Sequence, residues 1–285
     1  MNPTDDATAN EDTTVDLLKR NLAPILPEAW TLIDAEAARV LRLLLAGRKI
    51  VDFEGPFGWK YAAVNTGRLK LLSQGPAPDV GMGVREVQPL VEVRVPIKLS
   101  TMELDTVARG AEDPNLESVV RAAEKVALVE DNAVFNGLVA AGIKGILESS
   151  PHPSLPLPAD VLELPRLLID AKETLRRAGV AGPYVLVLGA ELHDQVYSAT
   201  EEGHPLAKRI EQQLVDRPIV RAEAVRGAAL LSLRGGDYEL YVGQDLSIGY
   251  AYHTKDEVEL YLTESFTFRV IEPTAAVRLT TTNAE

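Results

Sequence analysis

Apolar residues recur at helical spacing after Pro27. Trp30, Ile33, Ala37, Val40, Leu41 and Leu44 share one face. Pro27 suits a first helical turn and Gly47 suits a C-terminal stop, so an amphipathic helix is predicted here. Its single strong stripe must lie on something. From Lys49 to Ser100 the chain turns to β-branched and aromatic residues with Gly-Pro punctuation. Val91, Val93 and Val95 alternate with Glu92 and Arg94, which is the period of a half-buried strand. Joined across the turn-like stretch from Ser73 to Gly83, the segment reads as a long β-hairpin. Its tip carries Gln74-Gly75-Pro76-Ala77-Pro78-Asp79. A two-stranded arm has little core of its own. It predicts a partner chain, and a charge at Val93 is expected to block assembly more than folding.

A longer helix is predicted from Asn115 to Ala141. Asp113-Pro114 supplies an N-cap followed by proline, no proline interrupts the run, and Gly142 can close it. At 1.5 Å per residue this is a rod of ~40 Å. Leu116, Val119, Ala123, Val126, Ala127 and Val134 form its apolar side. The proline-rich stretch from Ser149 to Pro165 reads as a loop or domain crossover. Leu167 to Ala178 is a further helix stopped by Gly179, and Tyr184 to Leu188 is a fully buried strand. Ala190 to Leu214 reads as two helical pieces interrupted at Glu201-Glu202-Gly203-His204-Pro205. From Ala228 to Thr280 the pattern is mostly β, with Gly235-Gly236-Asp237 read as a hairpin turn. No internal repeat is visible.

Composition narrows the function. The 285 residues are 46% hydrophobic, 25% charged and 5% aromatic, a globular balance. The 29 Lys+Arg against 42 Asp+Glu give a net charge of −13, which disfavours general nucleic-acid binding. The absence of cysteine rules out disulfides, thiolate metal sites and cysteine nucleophiles and fits a reducing compartment. No apolar run reaches the ~18 residues of a membrane helix, and no secretory signal is visible, so no membrane partner and a cytoplasmic location are expected. The acidic, polar start, residues 1–16, reads as a disordered tail.

The catalytic search is negative. G-x-S-x-G, the phosphate-loop pattern and H-E-x-x-H are all missing. Gly81-Met82-Gly83 starts like a dinucleotide fingerprint, but Glu86 stands where the third glycine belongs and the segment enters a strand. His152, His193, His204 and His253 show no metal-ligand spacing. His193-Asp194 reads as a surface histidine beside an acid, and Trp30 and Trp59 as packing residues. The cluster of Glu201, Glu202 and His204 has two readings: a solvated loop tip, or a charged ring where copies meet at a pore. Nothing assembles a nucleophile, a base and an oxyanion site, so no catalytic residue, metal or cofactor is expected.

Several segments resemble the encapsulins, prokaryotic shell-forming proteins. They are LLKRNLAPILPEAW, LAGRKIVDFEGPFGWKYAAVNTGRL, EDNAVFNG, GIKGI, GPYVLVLG, RGGDYELYVGQDLSIGY and VELYLTESFTFRV, spread from Leu17 to Leu279. The resemblance implies an α+β fold of the HK97 phage-capsid type. Its parts would be an N-terminal helical segment at 17–48, an E-loop arm at 49–100, a P-domain at 101–150 and 250–285 with the long spine helix, and an A-domain at 151–249. It also implies a homo-oligomer of roughly 60 copies or more in a closed icosahedron. The shell would enclose cargo enzymes, each carrying a targeting peptide that docks on the inner wall. Arg48, Asp52, Asp245, Leu246 and Ile248 stand at the matching positions for that docking. The plainer alternative is that Arg48 and Asp52 pair with each other and Leu246 is core. The family's five-fold pore loop matches Thr200 to Leu206, where copies of Glu201, Glu202, Gly203 and His204 would favour cations. Met82 stands where some relatives stack a flavin on tryptophan, so no flavin is expected there. The competing readings are a viral major capsid protein of the same fold and, less well supported, a protease or bacteriocin.

Overall fold

A computed structural model describes residues 17–73, 77 and 79–280. The acidic tail at 1–16 and Gln74, Gly75, Pro76 and Pro78 of the arm tip lie outside the described residues. In chain order the first half runs α1 (Pro27–Leu44), β1 (Asp52–Glu54), β2 (Ala63–Leu71), β3 (Gly83–Pro89), β4 (Val91–Ser100), α2 (Thr101–Ala108), α3 (Glu117–Phe135) and α4 (Ile146–Ser149). It continues with β5 (Leu155–Pro156), α5 (Leu164–Arg177), β6 (Tyr184–Leu188), α6 (Ala190–Ser198), β7 (Thr200–Glu201), β8 (His204–Pro205) and α7 (Leu206–Gln213). The last strands are β9 (Val220–Arg221), β10 (Ala228–Ser232), β11 (Tyr238–Val242), β12 (Ser247–His253), β13 (Glu257–Val270) and β14 (Ala276–Thr280).

Two five-stranded sheets carry the core. One runs β1-β11-β13-β12, with β4 also paired to β13; the other runs β5-β14-β10-β6-β9. The first apolar cluster packs around the second sheet with α5 and α7. The other packs α1 and α3 on β4, β12 and β13. The α1 stripe is buried as its spacing predicts, from Trp30 through Ile33 and Ala37 to Leu41. The five residues of β6 are all buried, as a continuous apolar run requires.

Three expectations need correction. The long hairpin is two structures. Only β2 and β3 form the arm. β4 leaves it and pairs antiparallel with β13 from Val91↔Phe266 to Ser100↔Glu257, so Val93 is a core-sheet residue opposite Glu264. Alternation alone does not say which strand a strand pairs with. The Gly235-Gly236 turn does not close a hairpin either, because β10 and β11 belong to different sheets. It is a crossover, with both glycines at positive φ (84° and 78°).

The spine helix α3 is also shorter than predicted, 19 residues and about 28 Å. It stops at Asn136-Gly137, where Gly137 takes φ +88°. A Cβ on Gly137 would meet the Gly145 backbone nitrogen at 2.9 Å, so the chain folds back directly onto the helix end. α3 bridges both cores: Val119 to Ala127 lie in one and Ala133 to Phe135 in the other. Between them Glu130 and Asp131 are buried at 0% and 2% exposure.

Candidate functional site

The buried acids of α3 meet the turn that follows α1. Asp131 accepts from the backbone N–H groups of Ala46 (3.1 Å) and Gly47 (2.8 Å). This fixes the tight helical turn Gly47–Lys49 and points Arg48 inward. Arg48 then donates Nε to both Glu130 oxygens (3.1 and 2.9 Å), Nη1 to Asp245 Oδ1 (2.9 Å), and Nη2 to Glu130 and Glu264. The Phe53 ring lies 5.1 Å from the guanidinium carbon. Burial pulls the guanidinium down, but the hydrogen bond and charge of Glu130, with Glu264 and Asp245, more than reverse it. Arg48 is therefore cationic at every working pH.

Above this network a groove of ≈ 610 Å³ runs between α1 and β12. Ala37, Leu41, Leu45, Leu246, Ile248 and Leu262 supply its apolar lining, with Arg48 at one side. Asp245 Oδ1 also accepts from the Leu246 N–H at 2.8 Å, which sets the loop that presents Leu246. Arg20 and Asp34 pair at 2.6 Å along the wall, and Arg20 stacks 3.9 Å from the Trp30 ring centroid. The α1 stripe that needed a surface thus rests on β4, β12, β13 and α3 and leaves one flank open.

Of the five residues the sequence grouped for docking, Arg48, Leu246 and Ile248 line one groove, and Asp245 is bonded to Arg48 behind it. Leu246 is half-buried, whereas Ile248 is 4% exposed and mainly core. Asp52 does not join them. Its Oδ2 accepts from Gly236 N–H at 2.6 Å, and it borders a separate ≈ 890 Å³ cavity with His193, Arg217 and Tyr238. Arg48 and Asp52 do not pair with each other; Arg48 is committed to three other carboxylates. Glu130, Asp131 and Glu264 were missed by sequence reasoning. The available signal was spacing: Glu130 falls four residues after Val126 and four before Val134, on the apolar side of the predicted helix.

Glu201 to His204 forms a β7–β8 hairpin with a two-residue turn. Glu202 (φ 49°) and Gly203 (φ 84°) both take left-handed conformations, as a type I′ turn demands. Glu201 is ion-paired with Arg209 of α7. Lys208 borders the same surface, so the loop presents less negative charge than its two glutamates suggest. The four histidines stay apart: His152 Nε2 is 2.9 Å from the Thr274 carbonyl, and His193 stacks on Tyr197 at 4.3 Å. No cluster of three or more metal-ligating side chains, and no helix able to span a membrane, occurs among the described residues.

Residues 15–267 match the family described as "Encapsulating protein for peroxidase". The type 1 encapsulin shell protein of Rhodospirillum rubrum is 46% identical over 268 residues, covering 92% of this chain and 95% of the relative. This chain belongs to the encapsulin family. The type 1 encapsulin shell protein of Mycobacterium tuberculosis is 43% identical, covering 92% of this chain and 98% of the relative. The family is structural: its members are shell proteins, not enzymes. Among solved structures, the virus-like particle of Pyrococcus furiosus superposes with a TM-score of 0.63 at 14% identity, covering 88% of this chain and 98% of that one. A Mycobacterium phage Bobi chain superposes at 0.56 with 13% identity, covering 85% and 91%. The encapsulin chain therefore has the HK97-type capsid fold. Its likeness to phage chains is one of fold alone. The family assignment rests on the much higher identity to shell proteins.

Proposed function

We propose that copies of this chain close into a hollow icosahedral shell of roughly 60 subunits or more, and that the shell captures cargo enzymes by a terminal peptide seated in the α1–β12 groove. The observation that carries the peptide reading is the groove itself, an open trough with a mainly apolar lining along one flank of α1, with half-buried Leu18 and Leu246 in its wall. A trough of this kind takes leucine- or isoleucine-sized side chains of an extended segment. The family description names a peroxidase as what is encapsulated, and enzymes of that class are the first cargo to test. The β7–β8 hairpins would ring a symmetry axis, where the Glu201–Arg209 pairing leaves Glu202 and His204 as the groups facing a pore.

Native particle mass on protein expressed alone tests the shell. A single species of roughly 60 chains or more is expected; a monomer or dimer would refute self-closure. Leu246→Asp tests the groove. Leu246 is half-buried and outside the sheet registers, so the particle is expected to form normally. Burying a leucine is worth about 1.5–3 kcal/mol, so co-purifying cargo should fall at least tenfold. Unchanged cargo loading in intact Leu246→Asp particles would rule out the groove.

A further inference from the structure

The charges buried beneath the groove do not balance. Glu130 and Glu264 are both 0% exposed, and both accept from the same Arg48 Nη2. Asp245 takes Nη1, and Asp131 sits beside Glu130 on α3. Lys49, the next cation along the chain, donates to the Leu43 carbonyl. Full ionisation would set the two fully buried glutamates, with buried Asp131 beside them, against one guanidinium, which is strongly unfavourable; Asp245, 38% exposed, keeps contact with water. Glu264 Oε2 is buried with no donor to accept from. Because Glu130 Oε2 and Glu264 Oε1 accept from the same Nη2, the two carboxyl groups are close neighbours in the interior. Two buried carboxyl groups this close repel when both are ionised, and one proton between them removes the repulsion.

We propose that Glu130 and Glu264 hold one proton between them at neutral pH, so that with Arg48 they lock the turn after α1 to α3 and β13, and that loss of this proton in alkaline conditions loosens the lock. The lock joins three elements far apart in sequence, and Arg48 and Glu264 are 216 residues apart. The charged groups around it are Arg48 and Lys49 from the turn, Glu130 and Asp131 from α3, Asp245 from the loop before β12 and Glu264 from β13. Arg42, Asp34 and Arg20 border the adjacent groove, the last two paired with each other. The uncharged Phe53 ring, 5.1 Å from the guanidinium carbon, is partly open to solvent.

The direction follows from linkage. Burial first, and the neighbouring Glu130 next, hold the Glu264 carboxyl well above the ordinary glutamate range. A carboxyl raised on folding adds stability that is complete below its unfolded value and is lost as pH rises through the folded value. Asp131 contributes separately: burial pushes it up to about 7, against the N–H groups of Gly47 and Ala46. Its share is therefore lost at lower pH, around neutrality. The lock is a property of the subunit and does not depend on what occupies the groove.

The test uses assembled wild-type particles and the variants Glu264→Gln, Glu130→Gln and Asp131→Asn. Infrared difference spectra at mildly alkaline pH, above the Asp131 range, read the carbonyl band of a protonated carboxylic acid. Calorimetry reads Tm from neutral to alkaline pH. Glutamine at 264 keeps an acceptor for Arg48 and carries no charge at any pH. The wild type should show the band and a falling Tm. Glu264→Gln should lose the band and flatten the fall, and Asp131→Asn should keep both. No band in the wild type, a band lost only in Asp131→Asn, or equal Tm slopes in wild type and Glu264→Gln would each overturn the proposal. If Glu264→Gln does not fold, the Glu130→Gln spectrum and the alkaline disappearance of the wild-type band decide alone.

Discussion

A subunit carrying Leu69→Asp together with Leu71→Asp is expected to fold and to remain unassembled. Both residues lie on β2 of the arm, two positions apart and so on one face, and they are 56% and 75% exposed in the single chain. Val80, Met82, Val84 and Val87 add further exposed apolar surface to the same arm. Among the described residues β2 and β3 pair only with each other, so the subunit core does not need these side chains. Exposed apolar surface of this extent marks an interaction site. Burying two leucines against a neighbour contributes about 3–6 kcal/mol per contact. At 1.4 kcal/mol per factor of ten, that is two to four orders of magnitude in association, roughly. Repeated around a closed shell, the loss abolishes particles. Mass photometry reads the particles, and circular dichroism melting reads the fold. Wild-type particles from the double variant would remove the arm from the assembly mechanism. Val93 is the contrasting position. It lies in β4 within the main sheet, packed against both apolar clusters. A charge there should unfold the subunit itself, reversing the expectation drawn from sequence.

Arg48→Met is the second change with a large expected effect. It keeps much of the side-chain volume and removes the cation that Glu130, Glu264 and Asp245 surround. Breaking a buried ion pair from one side costs about 3–5 kcal/mol, because the partner charge stays behind. Against a total stability of about 5–15 kcal/mol, that is enough to lose most of the soluble protein at physiological temperature. The carboxyl groups can recover part of the loss by taking up protons, so the variant should be more stable in mild acid than at neutral pH. Combining Arg48→Met with Glu130→Gln and Glu264→Gln removes the stranded charges and should restore much of the melting temperature. An Arg48→Met protein as stable as wild type would show that the cluster is not held as described. Cargo loss in Arg48 variants will accompany loss of stability, because every Arg48 nitrogen is already engaged inside the subunit. Leu246→Asp, which removes none of the network's own side chains, is the cleaner probe of the groove.

Much of the molecule is determined by sequence alone. The α1 stripe, the buried run of β6, the helix stop at Gly179 and the interruption at Glu201 to Pro205 are local patterns, and each appears where its chemistry places it. The family is equally legible, because long distinctive segments run nearly the length of the chain. What only the tertiary structure decided is which elements those patterns meet. Alternating Val91, Val93 and Val95 fit an arm strand or a core strand equally well, since the period of two reports a buried face and not the strand bonded alongside. Gly235-Gly236 bends the chain in the same way whether the next strand joins the same sheet or another. Glu130 and Asp131 carry no mark of their partners in their own stretch of sequence. Their partners, Arg48 and the Ala46 and Gly47 N–H groups, lie 82 to 85 residues away. A buried charge is tolerable only when its compensating groups arrive with it. That arrival is set by the packing of α3 against the turn after α1, which no stretch of sequence specifies by itself.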